Sequence, residues 1–107
     1  MKWHSQLFGA KTRDIEVARR WIEQITGFAP EKRENDSLGG DYYMFGPYDG
    51  ANICLINNVD PYDLTPVWGR ETDTRWPIAA RASWTEDRRE LYDLMHSAKR
   101  YFVEVLD

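Results

Sequence analysis

The sequence predicts an α+β fold, a largely antiparallel sheet with two helices packed on one face. Three observations predict it. Two stretches repeat apolar residues at helical spacing. Two short apolar runs flank a Gly- and Pro-rich turn, and two further β-type runs follow towards the C-terminus. In chain order the reading is strand, helix, strand, strand, long loop, strand, helix, strand. A chain of 107 residues fits a single domain, 1–107, that buries roughly 60 to 70% of its unfolded surface.

Trp3 to Phe8 reads as an opening strand. From Asp14 to Thr26, Ile15, Ala18, Ile22 and Ile25 recur on one helical face, widened by Val17 and Trp21. Thr12 or Asp14 caps the first turn and Gly27 supplies the left-handed exit. Glu16 and Arg20 stand four apart in the favourable order. The charged stretch from Pro30 to Gly40 reads as a connection. Tyr42–Phe45 and Asn52–Ile56 then form a β-hairpin around Gly46-Pro47-Tyr48-Asp49-Gly50. The second run is apolar at consecutive positions, as expected of an interior strand covered on both faces, which makes Cys54 a packed small hydrophobe.

From Asn57 to Trp76 regular pattern stops, with Pro61, Pro66 and Gly69 among scattered apolar residues. Irregular loops longer than about 12 to 15 residues are uncommon in ordered domains unless they are functional or disordered. Ile78–Trp84 resumes as a strand. Glu86 to Lys99 follows as a helix capped by Thr85, with Leu91, Leu94, Met95 and Ala98 on one face. Tyr101–Leu106 closes the sheet. Trp21, Ile22, Ile53, Leu55, Leu94 and Val103 are expected in the core.

The net charge of −4 is unevenly spread. Residues 1–33 carry +3, residues 34–69 carry −6 with no lysine or arginine, and residues 70–107 carry −1. Such a middle repels phosphate backbones, so direct nucleic-acid binding is excluded and a basic protein partner is favoured. The single cysteine excludes an internal disulfide and a cysteine-based zinc site. The first residues lack the apolar run of a secretory signal, and no stretch reaches the ~18 apolar residues of a membrane helix. A cytoplasmic protein with no membrane partner is expected.

Candidate chemistry is sparse. His4 and His96 are the only imidazoles. His96 falls off the apolar stripe of its helix, and nothing pairs a nucleophile with a base at a recognisable spacing. Asp60, Asp63, Glu71 and Asp73 lack the spacing and central glycine of a calcium loop, and Gly39-Gly40 matches no phosphate-binding pattern. No catalytic residue, metal ligand or cofactor is predicted, and the chain reads as a non-enzyme. Of Tyr42/Met44 and Tyr43/Phe45, on opposite faces of one strand, one pair belongs to the core. The other packs under a helix or is exposed.

Ala18-Arg19-Arg20-Trp21-Ile22-Glu23, then Gly39-Gly40-Asp41-Tyr42-Tyr43-Met44-Phe45, then Ile53-Cys54-Leu55-Ile56-Asn57-Asn58 resemble small bacterial immunity proteins of contact-dependent growth inhibition and related polymorphic toxin systems. The resemblance covers residues 18 to 58. It implies a cytosolic, non-enzymatic antidote that binds the toxic C-terminal domain of a larger protein, frequently a basic nuclease. It carries over no individual residue.

Charge and composition place the partner surface on Asp60, Tyr62, Asp63, Trp68, Glu71, Asp73 and Trp76. There acids steer a cationic partner and aromatic rings anchor it. Two other readings stay open. One is a small-molecule or metal-binding domain resembling the vicinal oxygen chelate enzymes, whose only foothold is His4 on the opening strand. The other is a structural subunit that uses its aromatics to oligomerise.

Overall fold

The chain forms strand β1 (Trp3–Ala10), helix α1 (Ile15–Thr26), strands β2 (Glu31–Asn35), β3 (Gly40–Phe45), β4 (Asn52–Asn57) and β5 (Ile78–Thr85), helix α2 (Glu90–Ser97) and strand β6 (Phe102–Glu104). The computed structural model describes residues 2–47, 49–59, 66–68 and 76–105. All six strands join one antiparallel sheet in the order β2-β3-β4-β5-β1-β6. This is the predicted α+β class.

The period-2 alternation sorts the side chains into two layers. Tyr43, Phe45, Ile53, Leu55, Ile78, Ala80, Ala82 and Trp84 point to one face. They bury there against Ala18 and Ile22 of α1 and Leu91 and Met95 of α2. Both helices therefore lie on the same face, as the sequence implied. The small residues Ala80 and Ala82 leave room for their close approach. Trp21 is half-buried, stacked on Tyr101 at 4.5 Å and edge-on to Phe102 at 6.0 Å.

Helix α1 begins and ends on the predicted signals. The Asp14 carboxylate accepts from the Glu16 N–H at 2.9 Å, and Thr12 Oγ1 accepts from the Asp14 N–H at 3.1 Å. At the other end Gly27 sits at φ 74° and donates to the Glu23 carbonyl at 2.8 Å. The ion pairing differs from expectation, because Arg19 rather than Arg20 bridges Glu16 and Glu23. Arg19 is held there by the Tyr43 ring beneath it, 5.8 Å away.

Four expectations need correction. The stretch taken as a connection after Pro30 contains β2, an edge strand with Glu31, Lys32 and Glu34 exposed and Arg33 half-buried. Such a strand has no alternating apolar pattern to read, because it forms by adding to β3 rather than by burying a face. Helix α2 is shorter than Glu86–Lys99: Thr85 does not cap it but pairs with Trp3 at the end of β5, and a turn closed by Arg88 N–H to Thr85 O intervenes. In the two-turn helix that remains, Leu91 and Met95, four apart, face the sheet, and Leu94 is 40% exposed rather than in the core. Val103 is only half-buried, on the short edge strand β6.

Candidate functional site

On the sheet face away from the helices, Tyr42, Met44, Cys54, Ile56 and Ala79 form a second apolar layer. No helix covers it. Among the described residues its cover is Leu7, Leu38 at the end of the single 3-10 turn Asp36–Leu38, and Val67 and Trp68 from the long stretch between β4 and β5. Burial at this layer pushes the Cys54 thiol up to about 11, partly offset by the nearby Arg81 and Arg33 guanidiniums, so it stays an unreactive packing group. Both tyrosine-bearing pairs of β3 are therefore buried, Tyr43/Phe45 under the helices and Tyr42/Met44 under this loop.

One side chain fastens that loop. Asn58, just beyond β4 and buried, accepts from the Trp68 N–H at 2.7 Å and donates to the carbonyls of Trp68 and Trp76, each at 3.2 Å. Its own N–H donates to Pro77 O at 2.7 Å. The amide thus satisfies three backbone groups that secondary structure does not pair. The two tryptophans then settle on the sheet. Trp76 lies against Gly9, where an added Cβ would come within 2.1 Å of the indole. Trp68 receives the Arg81 guanidinium 4.6 Å from its ring centre. A close approach also seals the start of β3, since Gly39 at φ 81° leaves only 2.0 Å between an added Cβ and Asn57 O.

Of the sequence-predicted contact residues, Trp68 and Trp76 are thus brought onto one face of the sheet by Asn58, both half-buried. Asp60, Tyr62, Asp63, Glu71 and Asp73 lie outside the described residues. Elsewhere in the acidic middle, Asp41 is offset by Lys32 at 3.6 Å. Beside Met44 on the same face, a hollow of about 400 Å³ has Ser5, Ser83 and Asn52 in its lining and the exposed Trp3 as a wall. Asn52 donates to the carbonyls of Pro47 and Gly50, both at 3.0 Å, and so fixes the hairpin turn at its edge.

The histidines do not converge on one another. His4, Trp84, Tyr92 and His96 stack in that order, with centroid separations of 5.8, 4.4 and 5.6 Å. Two rings thus stand between the imidazoles. Glu104 Oε1 meets His96 Nδ1 at 2.6 Å and accepts from the Tyr92 hydroxyl at 2.7 Å. The Tyr92 hydrogen bond first, then His96, holds the Glu104 carboxyl below its ordinary value; the same bond raises the Tyr92 phenol. Across the helix layer, Tyr43 donates to Glu16, lowering that carboxyl, with Arg19 adding to the effect. Among the described residues no three His, Cys, Asp or Glu side chains gather as metal ligands. No described helix is long and apolar enough to cross a membrane.

Asn58 and Gly9 were not singled out by sequence reasoning. Gly9 carried a usable signal, since a lone glycine inside a strand marks close approach by another group. Asn58 carried none, because an asparagine at a strand end looks the same whether it is solvated or clamps a loop. Compared with protein-family models, with curated proteins and with solved structures, the chain matches none.

Proposed function

We propose that this chain is a non-enzymatic binding protein, an immunity protein that neutralises a cationic toxin domain, with a basic nuclease as the preferred partner. Its contact surface is the aromatic, acidic loop of residues 57–76. The observation that carries the reading is the Asn58 clamp. It fixes the backbone at Trp68 and Trp76, two of the expected contact residues, onto a buried sheet face. A long segment without helix or strand pattern, fastened at its middle and its end, is how domains present binding residues on a rigid scaffold. Preorganised contact groups bind at lower entropic cost than mobile ones.

The charge pattern supplies the partner's chemistry. Asn57 to Gly69 contains Asp60 and Asp63 and no base. With Lys32 already offsetting Asp41, Asp60 and Asp63 of this loop stand beside Glu34, Asp36 and Asp49 as the remaining acids of the base-free middle third. Acids so placed speed the approach of a basic surface, and tryptophans supply the anchors that slow its departure. Occupying the phosphate-binding groove of a nuclease would exclude its substrate. The compartment proposed with this function is the cytoplasm.

The test is co-expression with the C-terminal ~250 residues encoded by the adjacent upstream gene, a span that allows one or two domains. Co-purification with rescue of growth is the expected outcome. A toxic product that neither binds this chain nor is neutralised by it would overturn the proposal.

A further inference from the structure

The roof that Val67 and Trp68 place on the sheet covers only part of that face. Two residues beyond Arg81 on β5, the cross-strand row Asn52, Ser83 and Ser5 points to the same side, because strand residues two apart share a face. Trp3 comes next on that side of β1. It is 48% exposed, more than any other large apolar side chain among the described residues. These four residues line the hollow of about 400 Å³ beside Met44, which neither the fold nor the loop reading explains.

The lining carries no fixed charge. His4 also borders the hollow, but its imidazole is engaged on the opposite face, stacked on Trp84 and 3.7 Å from Glu86. A charged ligand would leave water for a site without a counter-charge, so a neutral one fits. Ser5 and Ser83 stand opposite each other, and neither hydroxyl has a protein hydrogen-bond partner among the described residues. Each hydroxyl donates one bond and accepts two. A nucleobase also stacks on tryptophan, but its edge has a fixed donor and acceptor pattern of the kind that a side-chain amide reads. The Asn52 amide is not available for that, since its Nδ2 donates to the Pro47 and Gly50 carbonyls, both at 3.0 Å. A sugar ring meets both conditions. Its C–H face takes the exposed indole out of water, and its hydroxyls, like those of serine, donate and accept.

We propose that this hollow binds a neutral saccharide, with one ring stacked on Trp3 and its hydroxyls exchanging hydrogen bonds with Ser5 and Ser83. A volume of about 400 Å³ is near the small end of ligand sites and suits a mono- or disaccharide. The site does not depend on the toxin reading, and its success or failure leaves that proposal untouched.

Nuclear magnetic resonance titration of the full chain tests it, with methyl β-glucopyranoside, methyl β-galactopyranoside and maltose as the saccharides and sorbitol and adenosine as controls. At least one saccharide should give saturable shifts confined to the Trp3 indole N–H and the amides of Trp3, Ser5, Ser83 and their neighbours. Sorbitol, which has the hydroxyls without the ring face, should bind more weakly by about tenfold or more, the scale of lost apolar burial. Trp3→Ala, at an exposed position, should weaken the saccharide by about tenfold or more. S5A/S83A, which keeps the indole, should weaken it by a similar factor, as the loss of two neutral hydrogen bonds predicts. No saturable shift with any of the saccharides, sorbitol binding equal to theirs, adenosine bound more tightly than each of them, or undiminished binding by folded Trp3→Ala or S5A/S83A would each overturn the proposal.

Discussion

Replacing Asn58 by alanine removes three hydrogen bonds, at 2.7, 3.2 and 3.2 Å, from a buried position. At about 1 kcal/mol net for each, the loss is about 3 kcal/mol. For a domain of this size that lowers the thermal midpoint by roughly 10–20 °C, if the loop and the sheet unfold together. Where the loop detaches first, the same energy appears locally, as faster hydrogen exchange at the Trp68 amide and a change in tryptophan emission before the main transition.

Asn58→Asp separates the clamp from mere packing, because it keeps the shape and the acceptor for the Trp68 N–H. It turns the donor that faces the Trp68 and Trp76 carbonyls into a second acceptor carrying charge. A buried charge facing two carbonyls is costly, so this variant should be at least as unstable as alanine at neutral pH. Part of the loss should return as pH falls and the new carboxyl gains a proton it can donate. Urea melts followed by tryptophan fluorescence, with exchange measured at Trp68, read both quantities. An alanine variant within about 0.5 kcal/mol of wild type, or an aspartate variant as stable as wild type, would refute the clamp.

Gly9→Ala forces the Trp76 indole off the strand, since no Cβ fits at 2.1 Å. It should cost about 1–3 kcal/mol, the range for overpacking, and shift tryptophan emission to the red. Met95→Ala should cost about 2–5 kcal/mol and Leu94→Ala under about 0.5 kcal/mol, which denaturant melts will rank; the reverse order would restore Leu94 to the core. Glu16 and Glu104 have folded-state values below the ordinary 4.5. The stability they contribute is therefore complete above that value and drains as pH falls through the lowered ones. Tyr43→Phe and Tyr92→Phe, which remove the largest cause at each carboxyl, should flatten the acid limb of a stability-versus-pH curve measured from pH 6 down to about 2. Parallel acid limbs in wild type and variants would contradict the assignment.

The parts of the fold legible in the sequence are those whose signals are local. Asp14, the Ile15–Ile25 stripe and Gly27 specify α1 from start to finish. Gly46, Pro47 and Gly50 mark the hairpin, and the unbroken apolar run of β4 correctly announced a strand covered on both faces. What escaped depends on partners distant in sequence. Glu31–Asn35 becomes a strand only because β3 offers a free edge. Thr85 is drawn from helix cap to strand end by Trp3. Once the helix is shortened, the buried stripe narrows to Leu91 and Met95 and leaves Leu94 outside.

The candidate site divides in the same way. Trp68 and Trp76 stood out because aromatic residues in a long loop need a reason to be there. That Trp68 also roofs the second apolar layer, with Trp76 on the same face over Gly9, follows from Asn58, Gly9 and Arg81, which composition does not single out. This double role alters how Trp68 should be tested, since Trp68→Ala uncovers the sheet as well as removing a contact. Its effect on binding has meaning only beside its effect on folding.

The most direct measurement of the central claim is the association rate with the co-purifying toxin domain, taken across ionic strength for wild type and for a variant carrying D60N, D63N, E71Q and D73N. The loop account predicts a wild-type rate that falls steeply with salt. It also predicts a low-salt rate about tenfold or more slower in the variant, with a flattened salt slope and an unchanged melting temperature. Equal rates at low salt in a folded variant would contradict it and move the contact surface elsewhere on the molecule.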